Sequence, residues 1–174
     1  FLRSRHFLYN TEKTQNTIEQ ADANMAIAAV YVHSGNVDSA LICFNISMKM
    51  YQKGKSPSQY IKAGLKKNEY LRQCNKYDDS KALLTQLVDF AKNENENTLL
   101  SKIYEQLASS YFMQSDFEKT IEITFERLRI DSLLQDSVSI AEDCNSLSTN
   151  FRKQGKYIEA IAYAKKALDI FEKK

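Results

Sequence analysis

The sequence predicts an all-α chain, a right-handed α-α superhelix (solenoid) of about four helix-turn-helix repeats. Three observations predict it. The 174 residues include only 4 Gly and 1 Pro, too few turn formers for many short strands and few enough for long helices. Sliding the sequence by 40 residues aligns apolar positions, so that Tyr31, Leu71, Tyr111 and Phe151 form one column. A second column holds turn formers, Gly35, Asn75, Ser115 and Gly155. Gly and Asn tolerate the left-handed conformation that ends a helix.

Four further apolar columns share the register: Val37, Tyr77, Phe117, Tyr157; Cys43, Leu83, Ile123, Tyr163; Met48, Val88, Leu128, Leu168; and Met50, Phe90, Ile130, Ile170. At 43% hydrophobic residues, chance fills a column of four about 3% of the time, or roughly one or two columns in forty, so five support a true repeat. A small-residue column, Ala40, Ser80, Thr120 and Ala160, runs beside them.

Each block then reads as helix, tight turn, helix and short link. Residues 1–174 form a single solenoid, with 1–16 the tail of a preceding repeat and hairpins at 17–56, 57–96, 97–136 and 137–174. Helices are expected near 17–34, 37–53, 57–74, 77–92, 97–114, 117–132, 137–154 and 157–173. The opening FLRSRHFLYN reads as a helix end, so the chain is expected to be part of something longer. Ser56-Pro57-Ser58-Gln59 predicts a capping box with Pro at the first helical position, and Ser115 with Glu118 predicts a second box. Gly54 and the polar run Asn93-Glu94-Asn95-Glu96-Asn97 punctuate the links. In the last helix Ala160, Ala164 and Ala167 share one face, and small residues there let neighbouring helices approach closely.

A formal charge of +2 implies neither nucleic acid nor membrane by itself, and direct nucleic-acid binding by this region is not expected. No apolar run approaches the roughly 18 residues of a membrane span. Cys43, Cys74 and Cys144 are spread apart without a CxxC pair and read as reduced, partly buried thiols, favouring a cytoplasmic setting over the periplasmic part of a membrane-anchored regulator. Gly54-Lys55-Ser56 resembles the end of a phosphate-binding loop, but Lys49 stands where its first Gly belongs. His6 and His33 lack zinc-site spacing. The adjacent pairs Asp78-Asp79 and Glu142-Asp143 do not face each other on a helix, and read as helix-start charges that suit the dipole. Cys144 has no partner predictable from spacing to lower its pKa. No catalytic residue, metal or cofactor is therefore expected.

The fourth block, CNSLSTNFRKQGKYIEAIAYAKKALDIF, resembles a tetratricopeptide repeat through Leu147, Ser148, Phe151, Gly155, Tyr157, Ala160, Ala164 and Ala167. The first block matches through Ile27, Ala28, Tyr31, Gly35, Ala40 and Phe44. The third matches through Tyr104, Leu107, Ala108, Tyr111, Phe117 and Thr120, although Thr124 and Arg127 replace the usual apolar pair. The second is weakest: Lys67 sits where a core Leu belongs and Asn68 where a small residue belongs, so its packing could be irregular or its helix rotated by one position. A 40-residue period exceeds the family's usual 34 by about one turn per helix. Such long repeats resemble the sensory regions of bacterial transcription regulators and the peptide-pheromone receptors.

The resemblance implies that first helices line a concave face. The implied groove takes Met25 and Val32 from block one, with Asp22, Ala29 and His33. Block two adds Lys62, Leu65, Lys66 and Arg72, with Glu69. Block three adds Lys102, Phe112 and Met113, with Glu105 and Ser109. Block four adds Arg152, with Glu142, Asn145, Thr149 and Lys153. The middle is basic and its flanks apolar, which suits an extended peptide or a helix held by carboxylates and apolar anchors. The carboxylate clamp of some family members is not matched, since Met25 and Ala29 stand where Lys and Asn belong, and Lys102 alone agrees. The expected function is a non-catalytic protein- or peptide-binding module, the sensory or scaffold part of a larger regulatory protein in signal transduction. The alternative is a structural oligomerisation or spacer element, a homodimer contact with no groove ligand.

Overall fold

Every 20 residues the backbone turns left-handed at one position: Gly35 (φ 72°), Lys55 (52°), Asn75 (57°), Asn95 (57°), Ser115 (62°), Gln135 (56°) and Gly155 (76°). In each case the next N–H donates to the carbonyl five residues back, from Asn36 to Tyr31 at 3.0 Å through Lys156 to Phe151 at 2.9 Å. This six-to-one closure satisfies carbonyls that a helix end otherwise orphans. The 40-residue repeat is therefore two halves of 20 residues each, a rhythm the aligned columns hide because the two helices of a hairpin bury different residue types.

The computed structural model describes residues 2–172, with side chains from residue 13 onward. Among them lie eight α-helices: α1 (Leu2–His33), α2 (Val37–Lys53), α3 (Pro57–Gln73), α4 (Tyr77–Asn93), α5 (Asn97–Met113), α6 (Phe117–Leu134), α7 (Ser137–Lys153) and α8 (Tyr157–Glu172). There is no strand among the described residues. The side chain of His6 lies outside them.

Three local expectations change. A helix start near residue 17 is not seen, because no Gly or Pro precedes Gly35 and α1 runs unbroken from Leu2. Within it Thr17 donates to the Lys13 carbonyl at 2.9 Å and Gln20 to Asn16 at 2.7 Å. Ser115 does not cap α6, since it is the left-handed residue itself; Asp116 caps instead, accepting from the Lys119 N–H at 3.0 Å. Ser56 precedes Pro57 at the first helical position as expected, yet makes no side-chain cap bond. Gly54 has an ordinary φ of −76°. A Cβ there would meet Ile18 Cγ1 at 2.9 Å, so Gly54 gives α1 room while Lys55 makes the turn.

The described residues group into two compact units, up to residue 83 and from residue 84 onward, dividing inside α4. In unit 1, Ala28, Ala40, Cys43, Phe44 and Tyr70 form a buried cluster, with Met25, Tyr31 and Val32 packed against it. The weak second block is regular. Asn68 is fully buried, and the Ser80 hydroxyl donates to its Oδ1 at 2.6 Å; half-buried Lys67 donates to Asn45 at 2.8 Å. A polar pair thus fills the place that Ala28 and Ala40 fill one repeat earlier. In unit 2 the core is built on Leu84, Leu87, Leu100, Ile103 and Leu147. On α8, Ala160 and Ala167 are buried, but Ala164 is exposed beside Tyr157, Ile161, Leu168 and Phe171. The alanine face is therefore narrower than expected.

Candidate functional site

In unit 1, residues 25, 29, 32 and 33 share one face of α1, and residues 62, 66, 69 and 73 one face of α3, by helical spacing. The two faces meet at two cavities of about 210 Å³ each. Met25, Val32 and His33 line one with Lys66, Glu69 and Tyr70. Asp22, Met25, Tyr51, Lys62 and Lys66 line the other. Met25 and Val32 are half-buried, while Lys62 and Lys66 are exposed. Eight of the expected groove residues are thus brought together, Asp22, Met25, Ala29, Val32, His33, Lys62, Lys66 and Glu69. Leu65 is 8% exposed and belongs to the core; Arg72 is half-buried and lines neither cavity. Tyr51 donates to Asp22 Oδ1 at 2.5 Å. Burial first, then that carboxylate, holds its phenol protonated far above the usual tyrosine range.

Unit 2 has a cavity of about 320 Å³. Glu105, Ser109 and Phe112 of α5 line it, as do Glu142, Asn145 and Thr149 of α7 and Thr120, Thr124 and Arg127 of α6, with Ala108, Asp143 and Asn150 among the rest. Of the expected groove residues of this unit, Glu105, Ser109, Phe112, Glu142, Asn145 and Thr149 line it, while Lys102, Met113, Arg152 and Lys153 are exposed outside it.

Arg127 is only 9% exposed. Its Nε lies 3.3 Å from Asp131 and its Nη1 3.2 Å from Asp143, while Nη2 lies 3.5 Å from Glu142 and 4.0 Å from Glu105. Asp131 and Asp143 are 1% and 0% exposed. Burial pushes the Asp143 carboxyl up to about 8; the Arg127 guanidinium pulls the other way, and the Asp131 charge adds to the rise. Asp143 therefore keeps its proton at neutral pH although a guanidinium lies beside it.

The reading of Glu142-Asp143 as helix-start charges is overturned. α7 begins at Ser137, where Asp136 accepts from the Val138 and Ser139 N–H groups at 3.2 Å each. Asp143 lies further along and points inward. The repeat register carried the signal. Arg127 shares a column with Ser47, Leu87 and Ala167, and Asp143 shares one with Ala63 and Ile103, all of them buried. A guanidinium at a core position requires buried carboxylates.

Gly54-Lys55-Ser56 is a link between helices with no strand before it. Cys144 is 3% exposed; burial raises its thiol pKa, partly offset by Lys166, which disfavours the reactive thiolate. Among the described residues no three His, Cys, Asp or Glu side chains are placed to hold a metal ion. No helix there is long and apolar enough to cross a membrane.

No family model and no curated protein matches the sequence. Solved structures do. The apo form of RapI is 17% identical with a TM-score of 0.79, over 91% of this chain and 44% of that one. A Rap protein complexed with competence and sporulation factor is 15% identical with a TM-score of 0.69, over 88% of this chain and 43% of that one. A Podospora anserina kinesin light chain structure with nearly identical TPR-like repeats is 16% identical with a TM-score of 0.68, over 99% and 95%. The chain spans less than half the length of the two Rap proteins. The fold is that of tetratricopeptide-type α-solenoid repeats.

Proposed function

We propose, from this tetratricopeptide-type fold, that the chain is a non-catalytic protein- or peptide-binding module serving as the sensory or scaffold part of a larger regulatory protein. The observation that carries the reading is the convergence of Met25, Val32, Lys62 and Lys66 on the unit 1 cavities. Exposed cations beside half-buried apolar side chains suit a peptide bearing a carboxylate next to an apolar anchor. The Rap protein solved with competence and sporulation factor supports a regulatory setting by analogy of fold. The test reverses charge at Lys62→Glu and Lys66→Glu and measures binding to an array of acidic-apolar peptides. Loss of binding with an unchanged circular dichroism spectrum is expected. Unchanged binding, or no binding by the parent protein, overturns the reading.

A second reading, self-association, is favoured by α8. Tyr157, Ile161, Leu168 and Phe171 are each at least half exposed and recur at spacings that keep them on one face. Sedimentation of the parent chain would show a dimer that Leu168→Glu with Phe171→Glu converts to monomer; a monomeric parent removes this reading.

A further inference from the structure

The unit 2 cavity has a chemistry of its own. Its guanidinium is already occupied, since Arg127 has four carboxylates within 4.0 Å. What stays unmatched is acceptors. Asp143 Oδ1 faces Arg127 Nη1 at 3.2 Å, but Asp143 Oδ2 and Asn150 Oδ1 have no hydrogen-bond partner, although the two residues are 0% and 1% exposed and both line the cavity. Buried acceptors without donors are costly, and a ligand that supplies donors recovers that cost. Glu105 and Glu142 add side chains 58% and 55% exposed at the same cavity. An anion would meet these carboxylates with no free guanidinium to offset them.

We propose that this cavity is a subsite for a cationic side chain, the ammonium of a lysine or the guanidinium of an arginine on a partner peptide. The charged head donates to Asp143 and Asn150 and lies near Glu105 and Glu142. The aliphatic stem packs on Ala108 and Phe112, whose ring is held edge-on by Phe117 at 5.8 Å. At about 320 Å³ the space falls within the range of ligand pockets. The aromatic face also attracts a cation directly. The subsite goes beyond the unit 1 groove and does not depend on it.

The experiment uses capped pentapeptides that differ only in the central residue, Lys, Arg, norleucine or Glu, titrated into the isotope-labelled full chain by NMR. The Lys and Arg peptides are expected to shift amides of Glu105, Asn145 and Thr149. The norleucine peptide should bind at least tenfold more weakly, and the Glu peptide should leave these amides unmoved. Glu105→Gln with Glu142→Gln, both on exposed side chains, should weaken the Lys peptide about tenfold and leave the rest of the spectrum intact. Affinity for the Lys peptide should also rise as pH approaches about 8 and Asp143 loses its proton, facing Glu105 on α5, Arg127 and Asp131 on α6, and Glu142 on α7. Equal shifts from Lys and norleucine, preference for Glu, or no shift from any peptide overturns the proposal. Those outcomes leave the unit 1 groove standing, because its test reads acidic peptides and the lysines of α3.

Discussion

Ser47, Tyr51 and Ala63 in unit 1 occupy the same register positions as Arg127, Asp131 and Asp143 in unit 2, two repeats later. All six are buried. Unit 1 satisfies its polar members with single bonds: Ser47 donates to the Ala21 carbonyl at 2.9 Å, and Tyr51 to Asp22. Unit 2 fills the same places with three ionisable groups, Arg127, Asp131 and Asp143. One helical frame therefore accepts two kinds of interior. The difference is energetic, because a neutral bond adds about 0.5–1.5 kcal/mol net, whereas desolvating an ion pair can cancel its Coulomb gain. An ionic trio is a poor choice for stability alone, which directs attention to the cavity that Arg127 and Asp143 line.

The largest expected effect removes the cation. Arg127→Ala strips the buried Asp131 and Asp143 carboxyls of the guanidinium they share and should cost about 3–5 kcal/mol in urea unfolding. The matched change in unit 1, Ser47→Ala, should cost about 1 kcal/mol. Replacing the whole trio with apolar residues, Arg127→Leu with Asp131→Leu and Asp143→Ala, should restore stability to near that of the parent or above it. If Arg127→Ala proves as mild as Ser47→Ala, the two interiors are energetically alike and the comparison fails.

Next comes pH. Burial pushes the Asp143 carboxyl up to about 8, against the ordinary aspartate value of 3.8. Below about pH 4 the group is protonated folded or unfolded and costs nothing. As pH rises towards 8 the unfolded chain releases this proton while the folded chain keeps it, so its contribution falls throughout that window and levels off above it. Asp143→Asn removes the titration. Relative to the parent, the variant should gain stability between about pH 4 and pH 8, on the order of a few kcal/mol at most. A parallel pair of stability-pH curves would show that the acid is not buried as described.

Unit 1 offers the smaller counterpart. Ser80→Ala strips Asn68 Oδ1 of the hydroxyl at 2.6 Å and should cost about 1–3 kcal/mol in the same denaturant assay. Asn68→Ala with Ser80→Ala recreates the Ala28 and Ala40 pair of the first repeat and should recover most of the loss, because two matched apolar groups leave nothing unpaired. No recovery would mean that the pair does more than fill space.

These cases show what could be read without coordinates. Helix number and turn positions were legible because left-handed residues and apolar columns recur at fixed spacing. The break expected near residue 17 came from extending the period into a stretch with no helix breaker. Ser115 was misread as a cap because Ser suits both a cap and a turn, and only φ separates them. The groove residues of α1 and α3 were legible because helical spacing alone puts them on one face. Asp143 was missed because adjacent carboxylates resemble a solvated helix start. Only the column it shares with Ala63 and Ile103 marks it as interior.

The smallest effect tests whether the two units share one backbone frame. Gly35 in unit 1 and Gly155 in unit 2 have φ of 72° and 76°, and a Cβ at either would meet nothing within 4 Å. Replacing each with Ala therefore adds only the left-handed backbone penalty, about 1 kcal/mol, with no steric clash on top. Equal costs at both sites are expected from thermal unfolding of the two single variants. They would mean that the closure is set by the chain itself, whatever each unit buries beneath it. A cost at Gly155 well above that at Gly35 would tie the turn to the ionic interior of unit 2, and the separation of frame from filling would no longer hold.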